Sequence, residues 1–276
     1  MKKITILLGV VLFVLLIYFY GYGSMKIKDE ILSMVDNETS KNVKITIVYD
    51  NYEFTENLKT GWGFSCLVEL ENKTILFDTG GDSETLLYNM EKLEINARKI
   101  DLVFLSHIHG DHTGGLIGIL ELNPDVEVYI PKSFPESFKN EIESLKATFV
   151  EVGDPTEIID GVYTTGEMGT WIKEQSLIIK TKKGLIIITG CSHPGILDII
   201  KKAKEITKED VYLVIGGFHL KDASDIKIQD IIESFRELGV KKTAPCHCTG
   251  GRAIRLFEET YRDDFIKAGV GKVINV

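Results

Sequence analysis

The stretch Leu102-Val103-Phe104-Leu105-Ser106-His107-Ile108-His109-Gly110-Asp111-His112-Thr113-Gly114-Gly115 sets the reading of the whole chain. Its first four residues are apolar, with a β-branched and an aromatic side chain among them, which predicts a short buried strand. The strand releases into a loop where three His and one Asp fall within six residues. Inside a strand, neighbouring side chains alternate between faces, but past its end they can converge on one point. Neutral imidazoles and a carboxylate are donors that zinc, iron and manganese accept. Gly110, Gly114 and Gly115 let the backbone turn tightly around them. A polar loop whose histidines merely satisfy backbone groups does not account for three imidazoles side by side. His107, His109, Asp111 and His112 are therefore read as metal ligands.

Six histidines serve all 276 residues. The other three each follow a predicted strand: His193 in Thr189-Gly190-Cys191-Ser192-His193-Pro194, His219 in Gly216-Gly217-Phe218-His219, and His247 in Pro245-Cys246-His247-Cys248. Strand ends on one rim of an α/β sheet are where such folds collect ligands. With no histidine on a helix, one shared site is the economical expectation.

Outward from that site, β-branched apolar runs predict strands at Lys44–Tyr49, Ser65–Glu69, Thr74–Phe77, Val126 to Ile130, Leu177–Thr181, Leu185 to Thr189, Val211 to Ile215 and Lys242 to Ala244. Amphipathic stretches predict helices at Glu84 to Leu93 with Ser83 as N-cap, at Leu116–Leu122, Gly195 to Ile206 and Ile226 to Leu238, and from Ala253. Lys182-Lys183-Gly184 reads as a hairpin turn. The order implies a layered α/β sandwich. With 44% hydrophobic and 26% charged residues, the composition is that of a globular protein and excludes collagen-like or disordered classes. A formal charge of -9 leaves no broad basic face, so no nucleic-acid partner is expected.

From Ile4 to Met25 no side chain is charged, and Lys2 and Lys3 precede the run. A helix through it roughly matches a hydrocarbon core of about 30 Å, which predicts a single transmembrane segment over 1–24. Gly21-Tyr22-Gly23-Ser24 lacks a clear small-x-small cleavage site, which favours a retained anchor over a cleaved signal. The basic amino-terminal flank places the body outside the cytoplasm. Residues 25–42 read as a linker, and the catalytic body as 43–276.

His107, His109, Asp111 and His112 match the H-x-H-x-D-H signature of the metallo-β-lactamase superfamily, which the chain resembles from about Val43 onward. Leu76-Phe77-Asp78-Thr79-Gly80 resembles the family's first motif, in which Asp78 would support the ligand loop from behind. Glu174-Gln175-Ser176-Leu177, the His193, His219 and His247 strings and Asp50-Asn51-Tyr52 resemble the branch of dihydropterin-ribofuranosyl-aminobenzene-phosphate synthases. The resemblance implies a four-layer αββα sandwich, here preceded by the transmembrane helix. It also implies that His107, His109 and His193 bind one metal, with Asp111, His112 and His247 at a second position and His219 nearby. His219 stands where most of the superfamily has a bridging Asp. Gly61-Trp62 replaces the branch's usual Glu-His.

The expected cofactor is zinc, one or two ions, with iron or manganese as alternatives. A water on the metal, ionised near neutral pH, would attack a phosphorylated or ester-like small molecule, with Asp111 as the catalytic carboxylate. The alternatives are a dihydropterin-transferring synthase with pyrophosphate leaving, and a non-catalytic metal sensor or accessory subunit. Asn51, Thr249 and Gly250 are candidate substrate contacts. Cys191, Cys246 and Cys248 are read as small buried hydrophobes in preference to soft ligands or redox-sensitive neighbours. No sequence feature specifies an oligomeric state.

Overall fold

In the computed structural model, which describes residues 42–276, the elements run β1 (Lys44–Tyr49), β2 (Ser65–Glu69), β3 (Thr74–Phe77), α1 (Ser83–Lys92) and β4 (Leu102–Phe104). Then come α2 (Gly110–Thr113), α3 (Leu116–Leu122), β5 (Glu127–Pro131), α4 (Glu136–Ser144), β6 (Thr148–Val152), β7 (Thr156–Ile159) and β8 (Val162–Thr164). The chain continues through β9 (Leu177–Thr181), β10 (Gly184–Thr189), α5 (Ile196–Thr207) and β11 (Val211–Gly217). It closes with α6 (Asp225–Glu237), β12 (Lys242–Cys246), α7 (Gly251–Tyr261) and β13 (Val273–Asn275).

Two mixed sheets result, ordered β13-β1-β2-β3-β4-β5-β6 and β12-β11-β10-β9-β8-β7. The central strands are apolar on both faces because both faces are covered. Ile75 and Phe77 of β3 and Ile186 and Ile188 of β10 meet in the layer between the sheets. Leu76 faces the opposite way, onto Leu86 and Met90 of α1 and Ile119 of α3. Leu185 and Ile187 face Ile199 of α5, Ile232 of α6 and Phe257 of α7. The period of two thus sends alternate residues into different apolar layers.

In both sheets the antiparallel hairpins give way to parallel strands: β3, β4, β5 and β6 in one, β10, β11 and β12 in the other. Parallel neighbours put their carboxyl ends on one side. The segments leaving β3, β4, β10, β11 and β12 carry Asp78, His107 to His112, Cys191 to His193, His219, and His247 with Cys248.

The N-cap of α1 is Asp82, one residue earlier than expected: its carboxylate accepts the Thr85 amide at 2.7 Å. Ser83 instead accepts the Gly118 amide on α3 at 3.1 Å. Elements between 132 and 176, and β13, are additions to the sequence reading. The membrane expectation is corrected. Among the described residues no helix is long and apolar enough to cross a membrane. The longest, α6 at 13 residues, spans about 20 Å against a core of about 30 Å. The run at 1–24 lies outside the described residues. The fold is a mixed α/β sandwich of two sheets, and the single-pass membrane placement with an extracytoplasmic body is withdrawn.

Candidate metal centre

Asp78 organises the site from a buried position at the end of β3, in left-handed backbone (φ 51). Its Oδ1 accepts the Ser106 amide at 2.7 Å, and its Oδ2 accepts the Ser106 hydroxyl at 2.8 Å. The same Oδ2 lies 2.7 Å from His112 Nδ1. A carboxylate only accepts, so His112 Nδ1 carries the proton. The Ser106 hydroxyl has spent its hydrogen on Asp78, so it accepts from His107 Nδ1 at 2.9 Å. On the far side Asn51 donates through Nδ2 to the His247 carbonyl at 3.1 Å, leaving its Oδ1 to accept from His247 Nδ1 at 2.8 Å.

These bonds fix three tautomers and turn three bare Nε2 atoms inward. His112 Nε2 and His247 Nε2 lie 3.2 Å apart, and Asp111 Oδ2 is 3.7 and 3.3 Å from them. Cys191 Sγ lies 3.2 Å from His112 Nε2. His107 Nε2 is 3.1 Å from His109 Nδ1, and His193 Nε2 is buried with no hydrogen-bond partner. Facing lone pairs repel unless a cation lies between them. Two nitrogens on one tetrahedral zinc, each about 2.0–2.1 Å from it, sit about 3.3 Å apart. The donors thus fit metal ions in two groups: His107, His109 and His193; and Asp111, His112, Cys191 and His247.

The electrostatics differ between the two groups. Burial and the surrounding imidazoles push His107 well below its ordinary pKa, and burial with His219 and His109 lowers His193 to about 4. Burial also opposes charge on His112, yet the carboxylates of Asp78 and Asp111 raise its pKa, favouring a positive charge at Nε2 that a bound cation would supply in place of a proton. Burial would raise Asp111, but the His247 hydrogen bond and the His112 charge bring it down to about 2. Burial raises Asp78, against the pull of His112.

Glu174, fully buried and raised by that burial, is a member the sequence reading quoted without a role. Its Oε1 accepts the Cys191 and Ser192 amides and the Thr189 hydroxyl, and its Oε2 accepts the His193 amide. It clamps the loop bearing two donors. Gly114 and Gly115 serve close approach: a Cβ would meet the Gly81 and Thr79 carbonyl oxygens at 2.1 and 2.2 Å.

His219 does not join the Asp111 group. It is exposed, has φ 53, lies tilted against His193 with ring centroids 4.6 Å apart, and groups with Cys191 and Cys248. All four cysteines are free. The Cys248 hydrogen bond and burial raise Cys191, whereas burial of Cys248 is outweighed by hydrogen bonds from Cys191 and His219 that pull it well down. Thr249 is buried and accepts the Phe218 amide, Asn51 is engaged by His247, and Gly250 packs on Lys221. Beside the centre lies a cavity of about 420 Å³ lined by Trp62, His219, Lys221, Asp222, Ala223 and Cys248.

Two sheets deliver histidines, carboxylates and a thiol to one rim of an α/β sandwich, in groups that could hold metal ions. Residues 63–195 match the family model of the metallo-beta-lactamase superfamily. The 7,8-dihydropterin-6-methyl-4-(beta-D-ribofuranosyl)-aminobenzene-5'-phosphate synthase of Methanocaldococcus jannaschii is 36% identical, covering 84% of this chain and 96% of its own. A metal-dependent hydrolase of the beta-lactamase superfamily superposes with a TM-score of 0.71 at 29% identity, over 85% of this chain and 99% of the other. The metallo-beta-lactamase fold protein YhfI of Bacillus subtilis shares the fold, with a TM-score of 0.65 at 15% identity over 86% and 100%. The chain belongs to the metallo-beta-lactamase superfamily, a family of enzymes that usually bind metal ions.

Proposed function

We propose that the chain is a metal-dependent hydrolase of a phosphorylated or ester-like small molecule. The observation that carries this reading is the pair of adjoining donor groups, into which the neutral tautomers of His107, His112 and His247 each turn Nε2. His107, His109 and His193 would hold one ion, and Asp111, His112, Cys191 and His247 a second, with zinc the best match to this donor set. Ions there would supply Lewis acidity, lowering the pKa of a water toward neutrality and polarising the electrophile. The chain's own residues do the rest. Asp78, through Ser106, and Asn51 hold the imidazoles in the required tautomers. Glu174 holds the loop that bears Cys191 and His193. The partly exposed Asp111 carboxylate accepts a hydrogen bond from the attacking water and orients it.

The neighbouring cavity narrows the substrate. Trp62, half exposed, offers a flat face, and Lys221 Nζ stands 4.8 Å from its ring centroid. That suits a planar body bearing an anionic group. A second reading, a dihydropterin-transferring synthase with pyrophosphate leaving, is favoured by the 36% identity across 96% of the M. jannaschii synthase. In that case Lys221 would face the leaving group, and an aromatic nucleophile would take the place of water.

The test is to load the protein with zinc and assay phosphomonoester, phosphodiester, lactone and thioester substrates. A parallel assay measures pyrophosphate release from a dihydropterin-methyl pyrophosphate with and without an aminobenzene acceptor. Hydrolysis of one class that His109→Ala abolishes is the expected result. Acceptor-dependent pyrophosphate release would assign the synthase instead. Tight metal binding with no turnover in either assay would leave a sensor and overturn both.

A further inference from the structure

Two donors beside the centre, His219 and Cys248, are left over by the two-group reading, and both adjoin Cys191. Cys191 Sγ, Cys248 Sγ and one ring nitrogen of His219 all lie within 4.8 Å of one another. They come from the ends of three adjacent parallel strands, β10, β11 and β12. Cys191 and Cys248 are reduced and buried, while His219 reaches in from the surface.

The backbone around these donors is held in left-handed geometry. His219 (φ 53), Ser192 next to Cys191 (φ 63) and His247 next to Cys248 (φ 47) are three of the nine non-glycine residues with positive φ among those described. Such conformations persist where the surroundings require them, commonly at ligand sites. Gly217, at the end of β11, has a conventional backbone but no room for a side chain: a Cβ there would meet Cys248 Sγ at 2.5 Å. The missing side chain is the space the sulfur occupies. The His219 ring, though exposed, is held 4.6 Å from His193 rather than extended into solvent.

The donor set is softer than either neighbouring group. Two sulfurs and an imidazole select zinc or another thiophilic divalent metal over magnesium, calcium or manganese. His219 and Cys248 also line the 420 Å³ cavity, so a fourth coordination position would face open space, as sites that take a substrate ligand require.

We propose that Cys191, His219 and Cys248 form a third cation site for zinc or a similarly thiophilic metal. It shares the Cys191 sulfur with the Asp111 group and opens onto the cavity beside Trp62. The proposal explains why a histidine stands at position 219, and it rests on the two-group reading only for the sharing of Cys191.

The experiment uses the full chain, loaded with cobalt(II) in place of zinc and freed of excess metal. Bound metal per chain is measured by atomic emission and thiolate ligation by the sulfur-to-cobalt charge-transfer absorption. Cys248→Ser and His219→Ala are compared with the native protein; the second alters an exposed residue and guards against misfolding in the first. The expected result is one ion fewer per chain in each variant, with the charge-transfer intensity falling by about two-thirds in Cys248→Ser as three cobalt–sulfur contacts become one. An unchanged metal count and band in both variants, alongside two tightly held ions, would overturn the third site and leave the two-group reading standing. Absence of bound metal in the native protein would overturn both.

Discussion

Asp78 touches no predicted metal donor atom, yet it decides which nitrogen of two imidazoles is bare. Asp78→Asn keeps the volume but replaces one acceptor oxygen by an NH₂ group, so the Ser106 amide, the Ser106 hydroxyl and His112 Nδ1 cannot all donate to it. The expected outcome is a loss of metal affinity of about 10- to 100-fold, read by competition against a chelator. Unchanged affinity would show that the tautomers are set elsewhere. Glu174 acts likewise on the loop of Cys191 and His193, through amides in place of rings. Trp62→Ala should raise KM several-fold for an aromatic anionic substrate and leave KM for a small aliphatic one unchanged. Equal effects on the two would remove the stacking role.

The His107 to His112 cluster was legible in the sequence because four donors in six residues is a local signal. Cys191 was not, because its role depends on β10 and β4 ending at the same rim, and nothing in Gly190-Cys191-Ser192 distinguishes a donor sulfur from a packed one. Its 3.2 Å approach to His112 is what makes it a candidate donor.

At the scale of elements, strands such as β3 and β10 were readable because both faces are buried, giving unbroken runs of Ile, Leu and Phe. β6 and β7 were not: their residues are mostly half-buried or exposed, and Thr and Glu interrupt the apolar pattern. α4 buries only Lys139 and Ile142, too little for a helical period to stand out. The cap of α1 illustrates the limit at an element boundary, since Asp82 and Ser83 are both good N-caps by type. The choice falls to Asp82 because its other oxygen accepts the Tyr49 hydroxyl at 2.8 Å, a contact from a distant strand.

Asp82→Ala should therefore destabilise the fold by about 1–2 kcal/mol at neutral pH, measured by urea unfolding. Burial would raise the Asp82 pKa, but the Thr85 amide and Tyr49 hydroxyl lower it on balance. Its folded pKa lies below the unfolded value of about 3.9, so its stabilisation is present above that value and is lost as pH falls through the folded pKa. The gap between native and variant should narrow below about pH 4; a gap independent of pH would contradict the ionised cap.

For the whole molecule, the site is the common edge of two sheets, and its geometry depends on the apolar layer that fixes them together. Phe77, fully buried between the sheets and stacked 5.5 Å from Phe104, immediately precedes Asp78. Phe77→Ala should cost about 3–5 kcal/mol through lost transfer energy and the cavity left behind. Metal binding should offset part of this loss, because ions that bind only the folded chain stabilise it by mass action. A rise in Tm on adding zinc to the apo protein, reversed by a chelator, checks that coupling. What was legible at this scale was the layered α/β order and the expectation that the histidines share one rim; which strands bring Asp78 and Cys191 to that rim needed the strand pairing.

The most direct test of the account is the metal content and turnover of the double variant His107→Ala/His109→Ala against the native chain. The prediction is at least one ion fewer per chain and loss of turnover, with the fold retained by circular dichroism. A full complement of metal with unchanged turnover would contradict the account.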